Sequence, residues 1–235
     1  MQDFSQAFVQ AFSLIIQADP MLMGIIGLSL QVTFTAVTLA CLLGFPLGAA
    51  LAVGRFPGRM VLVVFLNSLM GLPPVVVGLV IYLMLSAAGP LGFLQLLYTP
   101  TAMVIAQVVL VTPIVAALAR QVIEDLHGEY DEMLRAMNAS RLQTITTLIV
   151  DARYSLLTSA LAGLGRALAE VGAVIIVGGN IANVTRVMTT TIALETSKGE
   201  LALALGLGLI LIALSILINA SLFLLKHSAQ KRAYA

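Results

Sequence analysis

The sequence predicts an all-α integral membrane protein: five transmembrane helices, an amphipathic helix in front of them and one polar helical segment among them. Three observations carry that prediction. Of 235 residues, 60% are hydrophobic and 10% charged, against about 25% charged in soluble domains, and the mean hydropathy is +1.06. No charged residue occurs between Asp19 and Arg55 or between Arg59 and Arg120. A helix needs roughly 20 apolar residues to cross a bilayer core, so the first stretch accommodates one span and the second two. The chain then turns abruptly polar from Arg120 to Arg153, before apolar sequence resumes.

The elements follow in order. Phe4, Phe8 and Phe12 recur every fourth residue, with Gln6, Gln10 and Ser13 on other faces. That pattern predicts an amphipathic interfacial helix over 1–20, ended by Asp19-Pro20. The membrane domain covers 21–226, with spans expected near 23–53, 60–87, 101–119, 154–177 and 201–225. Gly54 to Arg59 form a basic turn after the first span. The second span contains Gly71-Leu72-Pro73-Pro74. Two consecutive prolines remove two backbone donors and break a helix. At membrane depth such a break is tolerated only where protein or a water-filled cavity satisfies the backbone. Met70, Pro73 and Pro74 are therefore the candidate pathway or gate residues.

The polar segment 120–153 reads as two short helices with a sharp bend. Asp131 and Glu132 are expected to open the first, where a carboxylate favours the positive end of the dipole. Met133, Leu134 and Met137 give it an apolar face, and Asn138 stops it by adopting the left-handed conformation. Ser140 with Gln143 forms a capping box. Leu142, Ile145, Leu148 and Ile149 then recur at helical spacing, and Asp151 is placed to cap the next helix.

Span four contains Arg166 and Glu170. Four residues apart on one helix, they share a face, and an unpaired charge in a span is costly, so an ion pair is expected. Gly178-Gly179-Asn180 ends that span. The threonine-rich segment 181–200 is expected to hold a short helix with turns. After the fifth span, 227–235 is a basic tail.

Basic residues set the orientation. With five spans, Arg55, Arg59, Arg120, Arg135, Arg141, Arg153, Lys226, Lys231 and Arg232 share one side, and Arg186 and Lys198 take the other. The first side is the cytoplasm, which puts the N-terminus outside and the C-terminus inside.

The composition also excludes functions. A net charge of +1 gives no reason to expect nucleic acid. Cys41 is the single cysteine, so neither an intrachain disulfide nor a thiolate cluster is available. The start, MQDFSQAF, lacks the basic region of a cleavable signal peptide. No GxxxxGK phosphate loop occurs, no nucleophile elbow, and His127 and His227 stand far apart without a metal-ligand pattern. The chain is therefore expected to be no enzyme, with no catalytic residue, no metal and no cofactor of its own.

Several motifs resemble one family. Glu132-Met-Leu-Arg-Ala-Met-Asn138-Ala-Ser-Arg-Leu142 resembles the coupling motif of importer-type ABC permeases. Glu132 stands at the family's Glu, Asn138 at its Gly, and Val150-Asp151 at its Leu-Pro; Met133 and Leu134 replace the two Ala. Met70-Gly-Leu-Pro-Pro-Val-Val-Val-Gly78 is similar to the second span of molybdate- and sulfate-type permeases. Arg166-Ala-Leu-Ala-Glu-Val-Gly-Ala173 and Gly178-Gly-Asn-Ile181 resemble two more of their motifs. Tyr98-Thr-Pro-Thr-Ala102, Leu110-Val-Thr-Pro-Ile114, Thr185-Arg-Val-Met-Thr-Thr190 and Ala193-Leu-Glu-Thr-Ser-Lys-Gly199 look like the tungstate branch.

The resemblance implies a type I ABC importer permease, embedded in lipid of a bacterial or archaeal cytoplasmic membrane. It implies a homodimer, two ATP-binding cassette subunits that carry the ATP and Mg, and an extracytoplasmic oxyanion-binding protein. It makes Glu132, Met133, Leu134, Met137, Asn138, Ala139, Ser140 and Arg141 the residues that couple to the ATPase. The transport implied is alternating access of an oxyanion, with tungstate ahead of molybdate or sulfate. An ion-driven carrier, the other class, usually shows paired intramembrane carboxylates or inverted repeats; here Glu170 is the one mid-span carboxylate and no repeat is evident.

Overall fold

The computed structural model describes residues 20–233, with Val9, Ser13 and Ile16 before them, and side chains through Leu224 except Leu222. The expected amphipathic leader thus lies almost wholly outside the described residues, as do the side chains of the basic tail. The described chain is helical: α1 Pro20–Val53, α2 Arg59–Leu69, α3 Pro74–Leu85, α4 Pro100–Ala136, α5 Arg141–Asp151, α6 Arg153–Leu168, α7 Gly172–Gly178, α8 Met188–Lys198 and α9 Leu201–Ala233, with a 3₁₀ turn at Gly92–Leu94. α1, α4 and the Leu201–Ser221 part of α9 are each long and apolar enough to cross a membrane. The pairs α2 with α3 and α6 with α7 bring the candidates to five if each bent pair is one span.

At three places the helices are not one per expected span. The span expected over 60–87 is two helices, because Pro73 and Pro74 stop the first. Pro73 is the N-cap of α3 and Pro74 its first residue, where a missing amide leaves no bond unmade. Met70 caps the end of α2, and the amides of Met70, Gly71 and Leu72 bond three residues back. The amides of the break are therefore satisfied by its own chain. The span expected over 154–177 is also broken, at 169–171, without any proline. The third place is α4, which as a helix extends past the expected span end near 119. It runs on to Ala136, sustained by ion pairs at i,i+4 between Arg120 and Glu124 and between Asp131 and Arg135. Charge marks where a helix leaves apolar surroundings, not where it stops.

The chain divides into two compact units. The first holds residues through Thr35, Pro73–Gln107 and Ala167–Ile218; the second holds Ala36–Leu72, Val108–Arg166 and the residues from Asn219.

In the first unit α3 lies against α7. A β-carbon on Gly78 would sit 2.7 Å from the Ala173 Cα, and one on Gly172 2.9 Å from the Val75 side chain. Only glycine permits this approach. Leu22, Ile25, Met188 and Leu207 form a core. The Ser29 hydroxyl donates to the Ile25 carbonyl (2.8 Å) and accepts the Met188 amide (2.7 Å), tying the start of α8 to α1.

In the second unit small residues bring α1, α4 and α6 together. A β-carbon on Gly48 would meet the Ala116 carbonyl at 2.5 Å, and those on Gly44 and Gly163 would press on Val115. A second core joins Ala49, Ala52, Ala119, Ile123, Leu134, Leu148, Ala152 and Leu156. Arg59 fastens the end of α1. Its Nε donates to the Leu51 carbonyl (2.7 Å), one of the last-turn acceptors a helix leaves unfilled, and its guanidinium pairs with Glu124 on α4 (2.6 Å).

Candidate functional site

The polar turn between α4 and α5 is built by local rules. Asn138 has φ of 52°, the left-handed conformation that asparagine tolerates. Its amide donates to the Arg135 carbonyl (3.0 Å) and the next amide, of Ala139, to the Leu134 carbonyl (3.0 Å). Those two bonds are the Schellman pattern, and Ala139 packs beside Leu134 in the core as that pattern favours. Ser140 then opens α5. Its hydroxyl accepts the Gln143 backbone amide (3.3 Å), and the Gln143 side-chain Oε1 accepts the Ser140 backbone amide (2.8 Å). The expected stop and capping box are both present.

The residues expected to couple separate into two sets. Leu134, 7% exposed, faces the core. Met133 (51%) and Met137 (72%) are exposed, and Leu142 (72%) joins them across the turn. Leu142 was legible as one of a helical series, but the sequence did not say that it points outward while Leu148 points in. Glu132, Asn138, Ser140 and Arg141 are exposed and Ala139 is half-buried.

Asp131 and Glu132 do not open a helix. They stand in the last two turns of α4, where the dipole disfavours a carboxylate. Asp131 is compensated: Arg135 donates to it (2.9 Å) and Arg55 pairs with it at 3.2 Å, with His127 Nε2 3.8 Å away. Desolvation pushes its carboxyl up, but the Arg135 hydrogen bond and the neighbouring positive charges outweigh that and hold it below the usual carboxylate range. Arg55, His127, Asp131, Arg135 and Arg141 line a cleft of about 180 Å³ beside the turn. Asp151 does not lead into the next helix as a cap; it is the last residue of α5, and Ala152 alone joins α5 to α6.

The second candidate region is the pair of helix breaks. Met70 and Pro73 are exposed and Pro74 is half-buried. At the other break Arg166 lies in the last turn of α6 and Glu170 in the three-residue joint. The helix stops between them, at Leu168. Glu170 is 3% exposed, and its Oε1 accepts the Ala173 amide at 2.9 Å. It caps the restarted helix α7, where a carboxylate complements the dipole. The Thr189 hydroxyl donates to the Glu170 carbonyl (2.8 Å). Ser29, Thr33, Gln107, Glu170 and Thr189 line a buried cavity of about 20 Å³. That is room for about one water, and too little for a tetrahedral oxyanion.

A family model described as a binding-protein-dependent transport system inner membrane component matches residues 44–232, which include both breaks and the polar turn. The chain belongs to this family. The permease is 40% identical over 226 residues to the tungstate uptake system permease protein TupB of Peptoclostridium acidaminophilum, covering 96% of this chain and 99% of that one. It is 37% identical over 185 residues to a probable anion ABC transporter permease protein of Haloferax volcanii, covering 77% and 80%. It is 36% identical over 195 residues to the TupB of Campylobacter jejuni, covering 83% and 82%.

The turn of this permease gives a first prediction. Asn138→Val places a β-branched residue at positive φ and is expected to cost about 1–2 kcal/mol, while Asn138→Gly is neutral or slightly stabilising. Thermal unfolding of the purified permease in detergent separates the two; equal stability of both variants would contradict the role of the left-handed turn.

Proposed function

We propose that this permease translocates an oxyanion, tungstate, into the cell across the cytoplasmic membrane. It works as a homodimer with two ATP-binding subunits on its cytoplasmic side and an extracytoplasmic binding protein that delivers the anion. The observation that carries this reading is near full-length similarity to a permease named for tungstate uptake, 40% identical over 96% of the chain. The exposed apolar turn supports it: Met133, Met137 and Leu142 stand out from a polar segment that the positive-inside rule assigns to the cytoplasm.

The transport step is alternating access. Closure of the ATPase dimer on ATP moves the two α4–α5 turns, the cavity opens outward to receive the anion, and hydrolysis restores the inward state. The break at Met70, Pro73 and Pro74 is its gate. A molybdate or sulfate permease of the same build is the second reading, favoured by the motif around the double proline, which resembles that of molybdate- and sulfate-type permeases.

Reconstitution tests this. The permease, its ATPase and its binding protein in liposomes should accumulate tungstate with external binding protein and internal ATP, and accumulate nothing if either is omitted. Competition among tungstate, molybdate and sulfate names the anion. Gradient-driven oxyanion uptake by the permease alone, without ATP, would remove the importer reading.

A further inference from the structure

We propose that Arg186 forms an oxyanion-binding site at the outer mouth of the permease. This rests on the oxyanion reading and on the orientation above, which puts Arg186 on the outer side. The segment that carries Arg186 is rigidly built. The amides of Val184, Thr185 and Arg186 all donate to the Ile181 carbonyl, at 3.2, 3.0 and 3.1 Å. The Thr185 hydroxyl donates to the Gly178 carbonyl and accepts the Ile181 amide. Asn180 and Thr190 bond each other twice across the segment, at 2.9 and 3.3 Å. Arg186 is thus presented by a loop whose own hydrogen bonds fix its path.

Its side chain is left over. Arg186 Nε is buried and has no hydrogen-bond partner, and no described carboxylate pairs with the guanidinium. The other cation assigned to this side, Lys198, is bound to Glu195 at 3.0 Å. A guanidinium stays charged at any physiological pH and fits an oxyanion with two parallel donors. It lines a cleft of about 220 Å³ with Asn183, whose amide adds donors, and with Pro20, Gly24 and Leu28 of α1. The apolar wall on α1 strengthens the local field by excluding water. The cleft is more than ten times the roughly 10–15 Å³ that admits one water by the same measure, enough for a tetrahedral dianion with part of its hydration shell. The site would hold the anion between its release by the binding protein and its passage inward.

The test reads binding without transport, so it is separable from the reconstitution above. Val184, on the rim of the cleft and 46% exposed, is changed to cysteine with Cys41→Ala. The full-length permease in discs of zwitterionic lipid is then labelled with an uncharged maleimide. Tungstate should slow labelling. Arg186→Gln should raise the half-protecting concentration about tenfold or more, and Arg186→Lys should fall between, because it keeps charge without the fork. Gly24→Leu should abolish protection with Arg186 intact, since a β-carbon at Gly24 meets nothing within 4 Å and the side chain can fill the cleft. The proposal is overturned if tungstate, molybdate and sulfate protect no better than chloride, or if Arg186→Gln is protected like the parent. It is equally overturned if anionic lipid in the discs protects without oxyanion and added oxyanion changes nothing, which would assign the site to a lipid phosphate. Protection with no uptake in liposomes would keep this site and sink the importer reading; uptake with no protection would do the reverse.

Discussion

Changing Met137 and Leu142 together to aspartate should abolish ATP-driven uptake while leaving the permease folded. Both side chains are 72% exposed and belong to neither core, so the cost to stability should stay within about 0.5 kcal/mol. In the proposed complex they enter an apolar groove of the ATPase. Truncating such a central contact typically costs 2 kcal/mol or more, and a carboxylate placed there adds a desolvation penalty. Two such changes are expected to weaken docking by about a hundredfold or more. Affinity of the purified permease for its ATPase, with uptake in liposomes, measures this; unchanged affinity and transport would move the docking surface elsewhere. Glu132→Arg is a useful companion. Because Glu132 lies near the C-terminal end of α4, an arginine there suits the dipole. Any loss of coupling in that variant then reflects the docked surface, not a melted helix.

The second large effect is expected at Gly78. A β-carbon there would lie 2.7 Å from the Ala173 Cα and 3.2 Å from its carbonyl oxygen. These are backbone atoms, so no rotamer change relieves the clash. Gly78→Ala should destabilise by about 1–3 kcal/mol, and Gly78→Leu should prevent α3 from seating on α7 and leave no monodisperse protein. Gly27→Ala is the control, since nothing lies within 4 Å of its β-carbon and alanine is the better helix former. Thermal stability and the elution profile in detergent report on all three. Gly78→Ala with parental stability and uptake would show that α3 and α7 do not depend on this contact.

Much of this was legible in the sequence, and unevenly so. Local chemistry read well: the double proline broke its helix, Asn138 took positive φ, Ser140 and Gln143 capped each other, and the segment after Asn180 held a short helix. These depend on a few neighbouring residues. The errors arose where position along a helix was inferred from charge. Asp131 and Glu132 look like helix openers only if a helix starts beside them, and the i,i+4 pairs instead carry α4 through. Span four also reads as one continuous helix, whereas the chain breaks between Leu168 and Gly172. No proline announces that break. The available signal was the carboxylate itself followed by Gly172, a residue that can open a helix against a close neighbour. Which apolar side chains face outward at the turn was not legible, since Leu134 and Met137 differ only in what the rest of the second unit places beside them.

The Schellman and capping-box bonds of the turn have a bearing on kinetics. Both helix ends are closed by their own chain, so a partner meets a surface that is already ordered. Association then avoids the ordering entropy that a segment folding on contact would have to lose. Its rate should follow collision and charge steering through Arg135 and Arg141 rather than a conformational step, and so fall as ionic strength rises.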